Sequence, residues 1–308
     1  MDLSIIIPVY RGELTLPVLV EKIHQALQDK FSFEIIPVWD CGPDNSWSVI
    51  QNLAKKYSDT VKPISLTRNY GQHNAIIAGI SQATGDYIVT MDEDLQHDPA
   101  DIIPMIAKQQ ETNCDVVYGN PVLRKHAFWR NATSNLLKLA LRYALPALPS
   151  YYSAFRLIRK DIAGQLQDMR SSYTFLDGYL SWITSSFAEY PVEHHERYAG
   201  KSGYTFKKLL SHTITIFVTF SNLPLRFLTA LSILIFASAS CYAMYVLWGT
   251  LFKDHYSPGF PSIIIAISMG IGLVLGALGI IGEYIYQINQ KTTRRPGYII
   301  RSEKTPKP

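Results

Sequence analysis

Cysteine is scarce in this 308-residue chain, with only Cys41, Cys114 and Cys241 present. Their number is odd and their spacing fits no metal-ligand pattern, which excludes a disulfide framework and a cysteine-held zinc and leaves three free thiols. Net charge is small as well: 29 Lys and Arg against 25 Asp and Glu give +4. No nucleic-acid motif accompanies that charge, so a nucleic-acid partner is not expected. Internal repeats and low-complexity tracts are missing, and only the residues after Arg301 read as disordered. The opening run Met1-Asp2-Leu3-Ser4-Ile5-Ile6-Ile7-Pro8 has no basic n-region and is cut short by Pro8. It therefore reads as a first buried strand, not as a signal peptide.

Charge is absent altogether from two long stretches, 26 residues between Arg226 and Lys253 and 27 between His255 and Glu283. Roughly 20 apolar residues cross hydrocarbon, and soluble core helices rarely run so long uncharged. The prediction is a transmembrane hairpin over 225–288, with spans at about 227–252 and 259–285 and a short connector around Lys253-Asp254. Lys201, Lys207, Lys208 and Arg226 precede the first span, and Lys291, Arg294, Arg295 and Arg301 follow the second. Basic residues stay on the cytoplasmic side, which places both termini and the tail 289–308 in the cytosol. Over 204–224, Phe206, Leu209, Leu210, Ile214 and Phe217 recur at helical spacing beside Lys207 and Lys208. That pattern fits an amphipathic juxtamembrane helix on the bilayer surface, or else an ordinary core-facing helix. Gly272 and Gly276 form a small-xxx-small pair that suggests close helix packing. The packing is either within the hairpin or between subunits, so a homo-oligomer through these helices stays open.

Residues 1–203 alternate short β-branched or apolar runs with helical patterns: strands near 3–9, 33–38, 63–66, 87–91 and 115–118, helices near 16–27, 47–57 and 72–83, and one opening at Asp98-Pro99. Less regular elements follow, namely a helix around 130–145, a strand at 155–158 and a helix near 173–185. Such alternation predicts an α/β domain with a mostly parallel, Rossmann-like sheet and helices on both faces. Ligands bind at the carboxyl ends of the strands in sheets of this kind. Those ends are Tyr10, Asp40, Arg68 and Asp92. Asp92 and Asp94 leave a strand end together, and paired carboxylates of this sort hold a hard divalent cation whose other ligands come from substrate phosphates. Asp40 is a candidate hydrogen-bond acceptor for a ribose or base edge, whereas Asp44 reads as the N-cap of the next helix. His73, His97, His194 and His195 fit no zinc spacing and read as structural.

Ile7-Pro8-Val9-Tyr10, Asp40 with Asp44, Arg68-Asn69-Tyr70-Gly71-Gln72-His73, Gly85-Asp86 and Met91-Asp92-Glu93-Asp94-Leu95-Gln96 carry a family resemblance. So do Phe155-Arg156-Leu157, Glu196-Arg197 with Gly200-Lys201-Ser202, Pro224-Leu225-Arg226 and Gly282-Glu283-Tyr284-Ile285 with Arg295-Pro296. With these residues the chain resembles the GT-A family 2 glycosyltransferases, and among them the polyprenyl-phosphate sugar transferases that load undecaprenyl phosphate with glucose or an aminoarabinose. The resemblance implies a GT-A catalytic domain at the cytosolic face of a bacterial inner membrane. Transfer of a hexose-type sugar from a UDP-sugar to undecaprenyl phosphate would serve envelope glycan or lipopolysaccharide modification. Pro8, Tyr10, Glu13, Asp40, Arg68, Asp92 and Gln96 are implied for the donor, and Asp92 and Asp94 for Mg²⁺ or Mn²⁺. Asp92, Asp94 and Arg156 are implied as catalytic. Arg124, Arg130, Arg197, Lys201 and Ser202 are implied around the acceptor phosphate.

A phosphate monoester with a second pKa of about 6 is largely dianionic at neutral pH, so the acceptor needs no strong general base. That matters because Ala154 stands where some relatives carry an Asp before Phe-Arg. Trp39, Cys41-Gly42, Arg11-Gly12 and Pro121 depart from the family pattern too. Two further readings remain at this point. One is a processive polysaccharide synthase, which lacks support from any Gln-x-x-Arg-Trp motif. The other is a catalytically weak relative acting as a membrane scaffold.

Overall fold

The computed structural model describes residues 1–121, 151–168, 174–193, 259–292 and 296–301, with scattered positions between 230 and 248. The chain divides into two units, Met1–Gly203 with Arg294–Pro308, and Tyr204–Thr293.

In the first unit, β1 (Leu3–Val9) is buried along its whole length, as a central strand covered on both faces must be. It leads into α1 (Leu16–Leu27), whose buried Leu16, Leu19, Val20, Ile23 and Leu27 recur at the helical period. Pro17 lies in its first turn, where a missing N–H costs nothing. Next come β2 (Phe33–Trp39), α2 (Ser46–Lys56), β3 (Ile64–Ser65), α3 (Gln72–Ile80) and β4 (Tyr87–Thr90). A 3₁₀ turn at Pro99–Asp101 opens α4 (Ile102–Thr112), with Asp98 Oδ1 accepting the Ala100 N–H. β5 (Val116–Pro121), β6 (Arg156–Arg159), α5 (Lys160–Gln165), α6 (Leu176–Ile183) and β7 (Phe187–Val192) complete the unit.

The strand order is β3-β2-β1-β4-β6-β5-β7. All neighbours are parallel except β6, which runs antiparallel to both β4 and β5. The mostly parallel α/β sheet expected from the sequence is therefore present, with one reversed strand. Leu3, Ile5, Ile7 and Val9 join a core with α1, α2 and α4, while α3 packs on β1 and β2. Pairing of β1 with β4 stops at Ile6 opposite Thr90, so Pro8 lies beyond that ladder and its lack of an N–H breaks no bond there. Residues 296–301, read from sequence as part of a tail, return to this sheet. Ile300 bridges Leu66 in antiparallel fashion, and the Arg301 N–H donates to Ser65 O at 2.7 Å, covering the β3 edge.

The second unit contains α7 (Phe260–Thr292), 33 residues long. Among the described residues no helix is long and apolar enough to cross a membrane. A Cβ added at Gly272 or Gly276 would meet nothing within 4 Å, so the close packing expected there is not seen among the described residues. The helix expected at 130–145, the amphipathic segment 204–224 and most of the first span lie outside the described residues.

At the end of the sheet away from the strand carboxyl termini, Glu34 is fully buried. Its Oε1 accepts from Ser4 Oγ and from the N–H and Oγ1 of Thr84, and Lys62 pairs with Oε2. Burial pushes this carboxyl up, but the hydrogen bonds from Lys62, Ser4 and Thr84 outweigh it and leave the pKa at about 2, below the usual 4.5. Because the folded value is depressed, the stabilisation is complete above pH 4.5 and is lost as pH falls through about 2. Glu34→Ala is expected to cost about 2–3 kcal/mol in denaturant unfolding at neutral pH, through loss of charge-assisted hydrogen bonds. The gap between wild type and variant should narrow as the pH is lowered toward 2.

Candidate active site

A cleft of about 560 Å³ opens beyond the carboxyl ends of β1, β2 and β4. Glu13, Asp40, Asp44, Asp92, Glu93 and Asp94 line it, and Arg11 is the only cation among the described lining residues. Acids this close repel one another, and the backbone is folded to hold them. Asp40, at the tip of β2, accepts the N–H groups of Tyr70 at 2.7 Å and Gly71 at 2.8 Å, one per carboxylate oxygen. Burial raises its pKa, and those two bonds oppose the rise. Asp44 accepts Ser46 Oγ at 2.7 Å and the Glu13 N–H at 3.3 Å. The N-cap of α2 is Asn45, so Asp44 acts one position earlier than expected for a cap. Glu13 accepts the Asn45 N–H in turn, and Ser46 Oγ accepts the Gly12 N–H at 2.9 Å.

The β4 end carries the remaining acids. Gln72 Nε2, at the start of α3, donates to Asp92 Oδ1, and the Gln96 N–H donates to Asp94 Oδ1 at 3.2 Å. Leu95 between them adopts a left-handed φ of 62° that reverses the chain. Glu93 turns the other way and accepts the N–H groups of Tyr10 at 3.3 Å and Arg11 at 3.0 Å. Burial is the main cause of a pKa lifted to about 7, with those N–H groups pulling it down and Asp44 and Asp92 pushing it up. Gly42, unusual in the sequence, is explained by the turn after β2, which also holds Cys41 in a left-handed conformation. Cys41 has a φ of 52°, and a Cβ on Gly42 would fall 1.6 Å from Tyr10 O. Only glycine fits where the β2 turn meets the β1 turn.

Pro8, Tyr10, Glu13, Asp40, Asp92 and Asp94, all expected around donor and metal, thus come together in one cleft. Two others do not line it: Arg68 stacks over the Tyr70 ring at 4.7 Å, and Gln96 contributes its backbone to Asp94. Arg156 requires a correction. It is 2% exposed, and its guanidinium ion-pairs with Asp177 at 3.0 Å, donates through Nε to Ser153 O and lies over the Tyr118 ring. Tyr118 also donates to Asp177, so Arg156 neutralises a buried acid between β5, β6 and α6. Arg124, Arg130, Arg197, Lys201 and Ser202 lie outside the described residues. His97 stacks on Phe155 and His73 meets Phe175 edge-on, consistent with structural histidines.

The glycosyl transferase family 2 model matches residues 4–166, which span the acidic cleft and all but one of the sheet's strands. The chain belongs to that family. Among full-length relatives of this glycosyltransferase, the Prophage bactoprenol glucosyl transferase homolog of Escherichia coli K12 is 28% identical over 99% of this chain and 100% of its own. The undecaprenyl-phosphate 4-deoxy-4-formamido-L-arabinose transferase of Enterobacter sp. is 31% identical over 97% of this chain and 92% of its own. Two solved structures share the fold. S. aureus TarS 1–349 in complex with UDP-GlcNAc has a TM-score of 0.50 and 15% identity, covering 71% of this chain and 66% of that 1–349 chain. Glucosyl-3-phosphoglycerate synthase of M. tuberculosis, with Mn²⁺, UDP and its product, has a TM-score of 0.50 and 14% identity, covering 71% and 78%.

Three residues of this glycosyltransferase escape a sequence reading. Gln72 acts through a partner distant in sequence, Ser46 links the nearby Asp44 to the distant Gly12 N–H, and Glu93 is hidden between two more conspicuous acids. The one available signal for Gln72 was its place in the Arg68–His73 run. For Arg156, substitution by Ala should destabilise the fold by about 3–5 kcal/mol, the usual cost of orphaning a buried charge. Thermal and denaturant unfolding of the variant checks this. An Arg156→Ala protein as stable as wild type but inactive would restore the residue to the reacting groups.

Proposed function

We propose that this glycosyltransferase moves a sugar from a UDP-sugar to undecaprenyl phosphate, with inversion, at the cytosolic face of a bacterial inner membrane. The observation that carries the reading is the cleft in which six carboxylates stand against one guanidinium. A nucleotide diphosphate is itself anionic, so this cleft accepts one only with a counter-cation. Hard carboxylate oxygens on Asp92 and Asp94 suit Mg²⁺ or Mn²⁺, and when bound such an ion supplies positive charge to the departing diphosphate. No group of three or more His, Cys, Asp or Glu among the described residues is arranged to hold a metal ion. That fits a site completed by donor phosphates.

The chain's own groups would do the rest. Gln72 and the Gln96 N–H aim Asp92 and Asp94, so the two acids meet the donor pre-oriented. Tyr10, 42% exposed at the cleft mouth, offers a ring face to a nucleobase. Asp40, held by two amides, retains lone pairs toward the cleft for a base or ribose donor. A phosphate oxygen of the acceptor then forms the new bond to the anomeric carbon as the bond to UDP breaks. The dianionic acceptor becomes a monoanionic diester, so no proton must be removed and Ala154 costs nothing.

The acceptor class and the membrane setting draw support from relatives that match nearly end to end and are named for bactoprenol or undecaprenyl phosphate. We place a hairpin over 225–288 as the anchor. Its second arm coincides with α7, which has no charge from Phe260 to Gly282 and exposes Ile263, Ile267, Ile271, Val274 and Leu278. Apolar side chains exposed along one face of a long helix suit lipid better than water.

Purified protein incubated with Mn²⁺ or Mg²⁺, undecaprenyl phosphate and a panel of UDP-sugars should yield a sugar-phosphate lipid detected by mass. Failure with every donor, for protein shown to be folded, would favour the scaffold reading. Asp94→Ala should lower kcat by about 10²-fold or more, the scale of losing one preorganised electrostatic group. Wild-type turnover in that variant would remove Asp94 from the metal site.

A further inference from the structure

Glu93 is the middle residue of the Asp92-Glu93-Asp94 run, and neither donor nor metal chemistry requires it. Its side chain nonetheless ties the β4 loop to the β1 loop, accepting the N–H groups of Tyr10 and Arg11. Its second oxygen, Oε2, is buried against Gly12, where an added Cβ would stand 2.3 Å away. The Gly12 N–H is in turn taken by Ser46 Oγ, and Ser46 by Asp44. A chain of contacts therefore runs Asp92–Asp94 loop, Glu93, Tyr10–Gly12 loop, Ser46, Asp44, across three loops that form the cleft wall. A side-chain oxygen that accepts two successive main-chain N–H groups ties the two loops at a defined separation.

We propose that Glu93 is a positioning residue that fixes the width of the donor cleft by locking the Tyr10–Gly12 loop to the loop bearing Asp92 and Asp94. The inference rests on the donor reading of this cleft. Gly12 is the matching half of the lock, since any side chain there collides with Glu93. Aspartate at 93 would fall short by one methylene, and alanine would remove the acceptor of the Tyr10 and Arg11 N–H groups. Glutamine keeps an oxygen for the two N–H groups and should retain most of the effect.

The test compares wild type, Glu93→Gln, Glu93→Ala, Gly12→Ala and the double variant, all full-length. Amide exchange over residues 10–12, without metal or nucleotide, should speed up about tenfold or more in Glu93→Ala and little in Glu93→Gln. With Mn²⁺ present, UDP affinity measured by calorimetry should fall about tenfold in Glu93→Ala. The double variant should melt above Gly12→Ala alone, because removing Glu93 relieves the collision. Unchanged exchange and unchanged UDP affinity in Glu93→Ala, or strictly additive melting shifts in the double variant, would overturn the proposal. Wild type that fails to bind UDP while the exchange and melting results hold would instead overturn the donor reading and leave the lock standing.

Discussion

Carboxylates crowded at the ends of three strands, each gripped by main-chain amides, are the constraint on which the site depends. Asp40 takes the amides of Tyr70 and Gly71, Glu93 those of Tyr10 and Arg11, and Asp94 that of Gln96. Like charges so close would spread the loops apart if they were free to do so. Tying each acid to a neighbouring loop converts that repulsion into a fixed, electronegative cleft. Gly42 and Gly12 are part of the same solution, because the loops approach to distances that exclude a side chain. The glycosyl transferase fold supplies the strand ends, and the amide ties determine what can enter between them.

Much of the scaffold was legible in the sequence, and for physical reasons. The buried stripe of α1 gave its limits to the residue, and the apolar runs at 3–9 and 33–38 gave β1 and, to within one residue, β2. Fully buried strands and amphipathic helices announce themselves through periodicity. β7 did not, because Phe-Ala-Glu-Tyr-Pro-Val is a partly exposed edge strand containing a proline and shows neither a solid apolar run nor clean alternation. The reversed direction of β6 was equally invisible, since direction is a property of pairing and leaves no mark on composition.

The site was legible where a residue type implies its chemistry and illegible where a distant partner sets the role. Asp92 and Asp94 on a strand end speak for a cation, and the cleft places them together with Asp40 and Tyr10. Arg156 stands as a catalytic candidate until Asp177 appears beside it from a helix 21 positions later. The same holds for Gln72, whose donation to Asp92 spans 20 positions. A departure such as Gly42 looks like weakening of a family pattern in one dimension and like a fitted turn in three.

An acidic cleft for an anionic donor makes one demand above the others, that nucleotide affinity be conditional on a divalent cation. Titrating UDP into the protein across a series of Mn²⁺ concentrations, with an EDTA control, measures that dependence directly. The account predicts negligible binding in EDTA and affinity that climbs with Mn²⁺ until the site saturates. Equal UDP affinity with and without the cation would contradict it.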